Sequence, residues 1–143
     1  MRTNKRVSAI VTRDNNILLI HRRKSGDEYW VVPGGGVEEG ESLEQGLIRE
    51  VQEETSLDIN KFTLLDTNKE ILTFDNTEKT IEHYIYYCEL NDGEPVLGGP
   101  EAESNSDKNW YHLEWVNIDS LQRLDLYPNY TKQIINKVKS KMK

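Results

Sequence analysis

The stretch from Gly34 to Leu57 constrains this chain more than any other. A short apolar run, Trp30-Val31-Val32, is stopped by Pro33 and followed by Gly34-Gly35-Gly36. Proline ends a strand, and side-chain-free glycines let backbone or ligand approach closely. Ser42 then opens a helix predicted to run to about Thr55, because Gln45, three residues on, completes a capping box with it. Leu43, Leu47 and Val51 recur at four-residue steps and predict a buried stripe, which Ile48 widens. Glu50, Glu53 and Glu54 are spaced i, i+3, i+4 and share one face. At roughly 100° per residue that face adjoins the apolar stripe, so the carboxylates are expected at the core edge, partly desolvated. Like charges placed this way repel each other, and a hard cation bound through oxygen relieves the repulsion. A glutamate-rich face alone is ordinarily a solvated surface, and a glycine cluster alone is ordinarily a turn. Their fixed order and spacing is what carries information.

That order resembles the Nudix box, G-x5-E-x7-R-E-U-x-E-E-x-G-U with U aliphatic. The chain supplies Gly35, Glu41, Arg49-Glu50-Val51, Glu53-Glu54 and Leu57, and departs only at Ser56, where the pattern has glycine. The resemblance implies one Nudix hydrolase domain over residues 1–143 with its box at 35–57, in an α+β fold: an α/β/α sandwich with a mixed β-sheet and helices on both sides. It implies an enzyme that cleaves a diphosphate bond, in a nucleoside triphosphate or in a nucleoside diphosphate linked to another moiety. It also implies Mg2+ as cofactor, with Mn2+ a substitute. Glu53 and Glu54 would be the principal metal ligands, Glu50 a further ligand or the proton acceptor, and Gly34 or Gly35 the donor of a backbone carbonyl. Arg49 belongs to the catalytic set through its support of the site, where its charge and that of Glu41 pair and fix the loop onto the helix. Ser56 follows the helix end, where a left-handed residue is often required, and serine there costs roughly 1 kcal/mol or forces another exit. Nudix enzymes often recruit an acid from outside the box, and Glu101, Glu103 and Glu82 are the candidates, the first two favoured by their loop position.

The rest of the chain reads as a sheet covered on both sides. Strands are predicted over 5–12 and 16–23 around the turn Asp14-Asn15-Asn16, then a loop over 24–29. Two longer strands, 61–74 and 79–90, flank the turn Asp75-Asn76-Thr77. In the second, Ile81, His83, Ile85 and Tyr87 alternate with Glu82, Tyr84, Tyr86 and Cys88. A long loop follows over 91–109, a strand over 111–117, and a helix over 129–142 with Ile134, Ile135, Val138 and Met142 on its apolar side. Arg22, Arg23 and Lys24 precede the glycines and are placed to contact a terminal phosphate or to end a solvated strand. Tyr29, Trp30, Tyr84, Tyr86, Trp110, Tyr111 and Tyr127 include the candidates for stacking on a base, Tyr29 among those assigned to substrate. His21, His83 and His112 show no metal-ligand spacing and are given no catalytic role.

Composition narrows the partners. The 143 residues suit one core, and 36% hydrophobic with 30% charged is a globular balance. No apolar run approaches the roughly 20 residues a membrane span needs, and no signal peptide precedes Thr12, so a cytoplasmic location without a membrane partner is expected. A single cysteine, Cys88, excludes an internal disulfide framework. The net charge of −7 argues against a stable nucleic-acid partner, which relies on Lys and Arg. A small nucleotide-like substrate is expected instead, on a monomer or homodimer. Two other functions are open: hydrolysis at the 5′ end of RNA, which needs a basic channel, and a ligand-sensing module without turnover, which would be expected to have lost box carboxylates.

Overall fold

The first hairpin is built from residues apolar on both faces: Val7, Ala9 and Val11 alternate with Ile10, and Leu18 with Ile17 and Leu19, all buried. A strand with two apolar faces must lie between two layers, and it does so in the computed structural model, which describes residues 2–90, 93–96, 109–127 and 130–141. Strands β1 (Arg2–Arg13) and β2 (Asn16–Lys24) pair only at their turn, through Thr12↔Ile17 and Arg13↔Asn16. Asp14 takes φ 55° there, a conformation Asp tolerates better than most residues.

Past the turn the two strands part, and each takes its own neighbours. β1 carries β6 (Thr77–Glu89) in parallel, from Lys5↔Glu82 to Thr12↔Glu89, and β4 (Gly34–Glu38) antiparallel on its other edge. β5 (Phe62–Phe74) pairs with the outer edge of β6. β2 carries β7 (Asn109–Asn117) along one edge and β3 (Asp27–Val31) along part of the other, both antiparallel. The described strands therefore form one mixed sheet with two wings that splay from the first hairpin.

Helices cover both sides. α1 (Leu43–Thr55) sets Leu47 and Val51 against Val7, Ala9, Val11, Leu18 and Val37. α2 (Thr131–Lys141) sets Ile134, Ile135 and Val138 against Ile10, Ile17 and Leu19 on the opposite side. Burying one such side chain contributes about 1.5–3 kcal/mol before entropy is counted, so each helix is held mainly by its apolar stripe. A 3-10 helix, Ile118–Arg123, adds Ile118 and Leu121 to the second cluster, an element the sequence pattern does not announce.

Several expectations shift at their edges. The predicted loop at 24–29 is mostly strand, because β2 runs to Lys24 and β3 starts at Asp27 around a turn at Ser25-Gly26. The three glycines are strand β4 as well as a turn, since Val7↔Gly35 and Ser8↔Gly34 pair. Ile48 is more exposed than expected at 38% and sits outside the buried stripe. The β5–β6 turn is Asp75-Asn76, with Thr77 already in β6. Much of the predicted 91–109 loop, and Met142, lie outside the described residues.

Candidate active site

α1 begins as its sequence requires. The Gln45 amide donates to Ser42 Oγ (3.1 Å) and the Ser42 amide donates to Gln45 Oε1 (2.9 Å), closing the capping box. At the far end Ser56 adopts φ 63°, ψ 15°, so the chain takes the left-handed exit of the box pattern with a serine. The serine compensates in a way glycine cannot: its hydroxyl donates to the Val96 carbonyl at 3.0 Å, beside a Val96 amide bonded to the Thr55 carbonyl.

The three glutamates differ in environment. Glu50 and Glu54 are buried, at 5% and 9% exposure, while the Glu53 side chain is 44% exposed. Glu54 Oε1 accepts from the Gly34 amide at 2.7 Å. Glu50 lies against Gly35 so closely that a Cβ at residue 35 would clash with its carboxyl group. A Cβ at Gly34 would meet the Val7 carbonyl and Ser8 Oγ. The two glycines thus let the α1 carboxylates, β4 and β1 pack to a distance no other residue permits.

Arg49 ties these parts together. Its Nε and Nη2 bond both oxygens of Glu41 (2.7 and 3.0 Å), Nη2 also donates to the Gly36 carbonyl (3.0 Å), and Nη1 reaches Glu50 Oε1 (3.0 Å). Its contacts to Glu53 are longer, at 3.4 Å. The bonds to Glu41, and after them those to Glu50, hold the guanidinium even further above its ordinary pKa than burial lowers it. Glu41 in turn accepts from the Glu38 amide at 2.9 Å, so the Arg49–Glu41 pair clamps the end of β4 and the turn after it to the helix. A fork-to-fork pair of this kind fixes geometry as well as charge.

All three carboxylates, with Gly34 and Gly35, line one cleft of about 500 Å³ in the wedge between the two wings of the sheet. One wall comes from β2, β3 and β7: Arg22 lies over the ring of Tyr111 at 3.8 Å, has Tyr29 at 5.7 Å on its other side, and bonds Asn109. The opposite wall comes from β1, β5, β6 and the start of α2, and includes Arg6, Ser8, Glu70, His83 and Tyr130. Arg23 projects to the other face of β2, where it pairs with Glu28 (2.9 Å) and lies over Trp110, so the two neighbouring arginines separate. Glu82 is not among the residues lining the cleft and accepts from the Tyr84 hydroxyl. Glu101 and Glu103 lie outside the described residues. Among the described residues, the acid from outside the box that lines the cleft is Glu70, which sequence spacing did not single out. His83 also lines the cleft, a placement its alternation on β6 cannot show, since alternation gives a face and not what the face borders.

A family model described as the NUDIX domain matches residues 2–137. The uncharacterized Nudix hydrolase YvcI of Bacillus subtilis is 28% identical over 123 residues, which cover 85% of this chain and 70% of that protein. The RNA pyrophosphohydrolase of Saccharophagus degradans is 32% identical over 119 residues, covering 83% of this chain and 61% of that one. The crystal structure of the MutT NUDIX hydrolase from Burkholderia pseudomallei superposes with a TM-score of 0.71 at 26% identity, over 94% of this chain and 96% of that one. The chain belongs to the Nudix hydrolase family, whose members act on diphosphate bonds. No helix among the described residues is long and apolar enough to cross a membrane.

Nudix hydrolases generally use divalent metal ions. The donors here fit such an ion in kind: three carboxylates and glycine carbonyls are hard oxygen ligands, two of the carboxylates are buried, and all face one cleft. Among the described residues no three carboxylate, imidazole or thiol groups already enclose a point. Arg49 draws Glu50 and Glu53 toward itself, and the Gly34 amide holds Glu54.

Proposed function

We propose that this chain is a magnesium-dependent pyrophosphohydrolase that cleaves the diphosphate bond of a nucleoside triphosphate, or of a nucleoside diphosphate linked to another moiety. The observation that carries the reading is the convergence of Glu50, Glu53 and Glu54 with Gly34 and Gly35 on one wall-lined cleft. Water is a poor nucleophile toward a polyanion, so the reaction needs charge neutralisation, alignment and removal of a proton. A bound divalent cation supplies the neutralisation and lowers the pKa of the attacking water.

The chain's own residues do the rest. Glu53 is the most exposed of the three, and its contacts to Arg49 are longer than that of Glu50, so it turns most readily into the cleft as a ligand. Glu54 is the second ligand, positioned by the Gly34 amide. Glu50 is a further ligand or the proton acceptor, and Gly34 or Gly35 offers a carbonyl. Arg49 and Glu41 keep the loop and helix in register. Arg22, oriented by its tyrosine and Asn109 contacts, presents a fixed cation to a substrate phosphate. Tyr29 and Tyr111 beside it offer ring faces to a base.

The RNA 5′-end reading draws on the name RNA pyrophosphohydrolase, which several relatives share, while the charge of −7 opposes it. The test is a screen of nucleotides and nucleotide-diphosphate conjugates with magnesium or manganese, products identified by mass. Hydrolysis that needs the metal and stops with chelator is expected, and full activity in excess chelator overturns the proposal.

A further inference from the structure

Three buried or half-buried side chains on the wall opposite Arg22 are joined in a line. Ser8 Oγ lies 2.6 Å from His83 Nε2, and His83 Nδ1 meets the Tyr130 hydroxyl. They come from β1, β6 and the start of α2, and all line the cleft. Ser8 and His83 are buried, at 5% and 7% exposure. Glu70 lines the same cleft and acts on the Tyr130 hydroxyl chiefly through its charge, which draws the O–H toward it. Burial first, and then Glu70, push that hydroxyl up to about 12, so it stays protonated.

The line has a direction. A carboxylate only accepts, so the Tyr130 O–H turns toward Glu70 and the Tyr130 oxygen is left to accept from His83 Nδ1–H. A neutral imidazole with its proton on Nδ1 has a bare Nε2, which accepts the Ser8 hydroxyl proton. His83 stays neutral because burial, and then the nearby Arg6, lower it to about 4. A group this reluctant to charge does not store a proton, so the line transmits orientation and not a proton. Its end is the Ser8 oxygen, which gives its proton to His83 and so faces the cleft as an acceptor, in register with Gly34.

We propose that Ser8 is a specificity-determining residue, oriented by the Glu70–Tyr130–His83 line to accept a hydrogen bond from a ribose hydroxyl of the substrate. This rests on the proposed function. Lone pairs repel phosphate oxygens, which are themselves acceptors at neutral pH, so the partner is a donor on the non-phosphate part. Ser8 pairs in register with Gly34, next to the residues assigned to the diphosphate, and the group bonded directly to a nucleotide's phosphates is its sugar.

The test is equilibrium binding and turnover, with magnesium, of matched ribo-, 2′-deoxy- and 3′-deoxynucleoside triphosphates of one base. The parent is expected to bind the ribonucleotide about 10-fold more tightly than one of the deoxy analogues, with the difference in KM and not in kcat. Ser8→Ala should bring the two within about 2-fold, and Ser8→Thr should restore the preference. Tyr130→Phe should weaken the preference while the thermal unfolding signal remains cooperative. Equal binding of all three nucleotides by the parent overturns the assignment, as does a preference that Ser8→Ala leaves intact. If metal-dependent hydrolysis persists in either case, the proposed function stands and only the role of Ser8 falls. Absence of both binding and hydrolysis overturns both.

Discussion

Replacing Gly35 by alanine adds one methyl group where the structure has no room for it. The new Cβ would clash with the carboxyl group of Glu50, a buried side chain that is also bonded to Arg49 at 3.0 Å. Two responses are available. Glu50 swings away, which weakens a charge-assisted hydrogen bond in a buried place at a cost of about 1–3 kcal/mol. Alternatively β4 retreats from α1, an overpacking response of similar size, about 1–3 kcal/mol. Either way the expected loss is about 2 kcal/mol, or roughly 6–8 °C in Tm for a chain of this length. The same displacement moves a carboxylate of the proposed metal site, and a shift on the order of 1 Å costs about 100-fold in turnover. Gly46→Ala is the control, since it adds the same methyl group inside α1. There the nearest atoms are Glu41 Oε1 at 3.1 Å and Val37 Cγ2 at 3.2 Å, contacts that a shift of a few tenths of an ångström relieves. The helix gains about 1 kcal/mol from alanine, so that variant should stay within about 1 kcal/mol of the parent. Differential scanning calorimetry and a metal-dependent turnover assay on both variants decide the matter. A Gly35→Ala protein that melts within about 2 °C of the parent and turns over within about 3-fold refutes the close-packing account.

At Ser56 the left-handed backbone and the bond to Val96 oppose each other. Ser56→Ala keeps the strain and loses the bond, whereas Ser56→Gly loses both, so the glycine variant should be more stable than the alanine variant by about 1 kcal/mol in chemical denaturation. An alanine variant at least as stable as the glycine variant contradicts the left-handed assignment. His83 predicts a pH dependence of stability. Its folded pKa of about 4 lies below the ordinary 6.5, so its contribution is fully present above pH 6.5 and is lost as pH falls from there toward 4. Comparing the parent with His83→Gln across that window should show a steeper fall in the parent, by about 3 kcal/mol, and equal slopes would contradict the buried neutral imidazole.

The helix, its cap and the buried stripe at Leu47 and Val51 were legible because they rest on local rules: spacing of 3.6 residues per turn and a side chain that bonds a neighbouring amide. The box pattern left the exit at Ser56 open between a left-handed residue and another route, and the Val96 bond was not legible at all, because a contact across 40 positions leaves no local trace. The same bond offsets part of the cost that a left-handed serine carries. The strand at the glycines was hidden by composition, since glycine is a poor strand former and β4 exists only because β1 pairs with it. The separation of Arg22 from Arg23 follows from two-residue alternation, yet which of the two enters the cleft depends on how the wings splay. Glu70 and His83 are ordinary strand residues in the sequence. Only the parallel pairing of β1 with β6 brings His83 beside Ser8, and only the antiparallel pairing of β5 with β6 brings Glu70 to the same wall.

The central claim is that the α1 carboxylates form a metal-dependent hydrolytic site, and Glu53→Gln tests it most directly. The change removes one charge, keeps the side chain's size, and touches a half-exposed residue whose contacts to Arg49 are the longest of the group. Magnesium-dependent turnover measured beside a thermal melt should fall by at least about 100-fold while the unfolding transition stays within a few degrees of the parent. Turnover within about 3-fold of the parent, with the fold intact, would contradict the assignment of these carboxylates to the reaction.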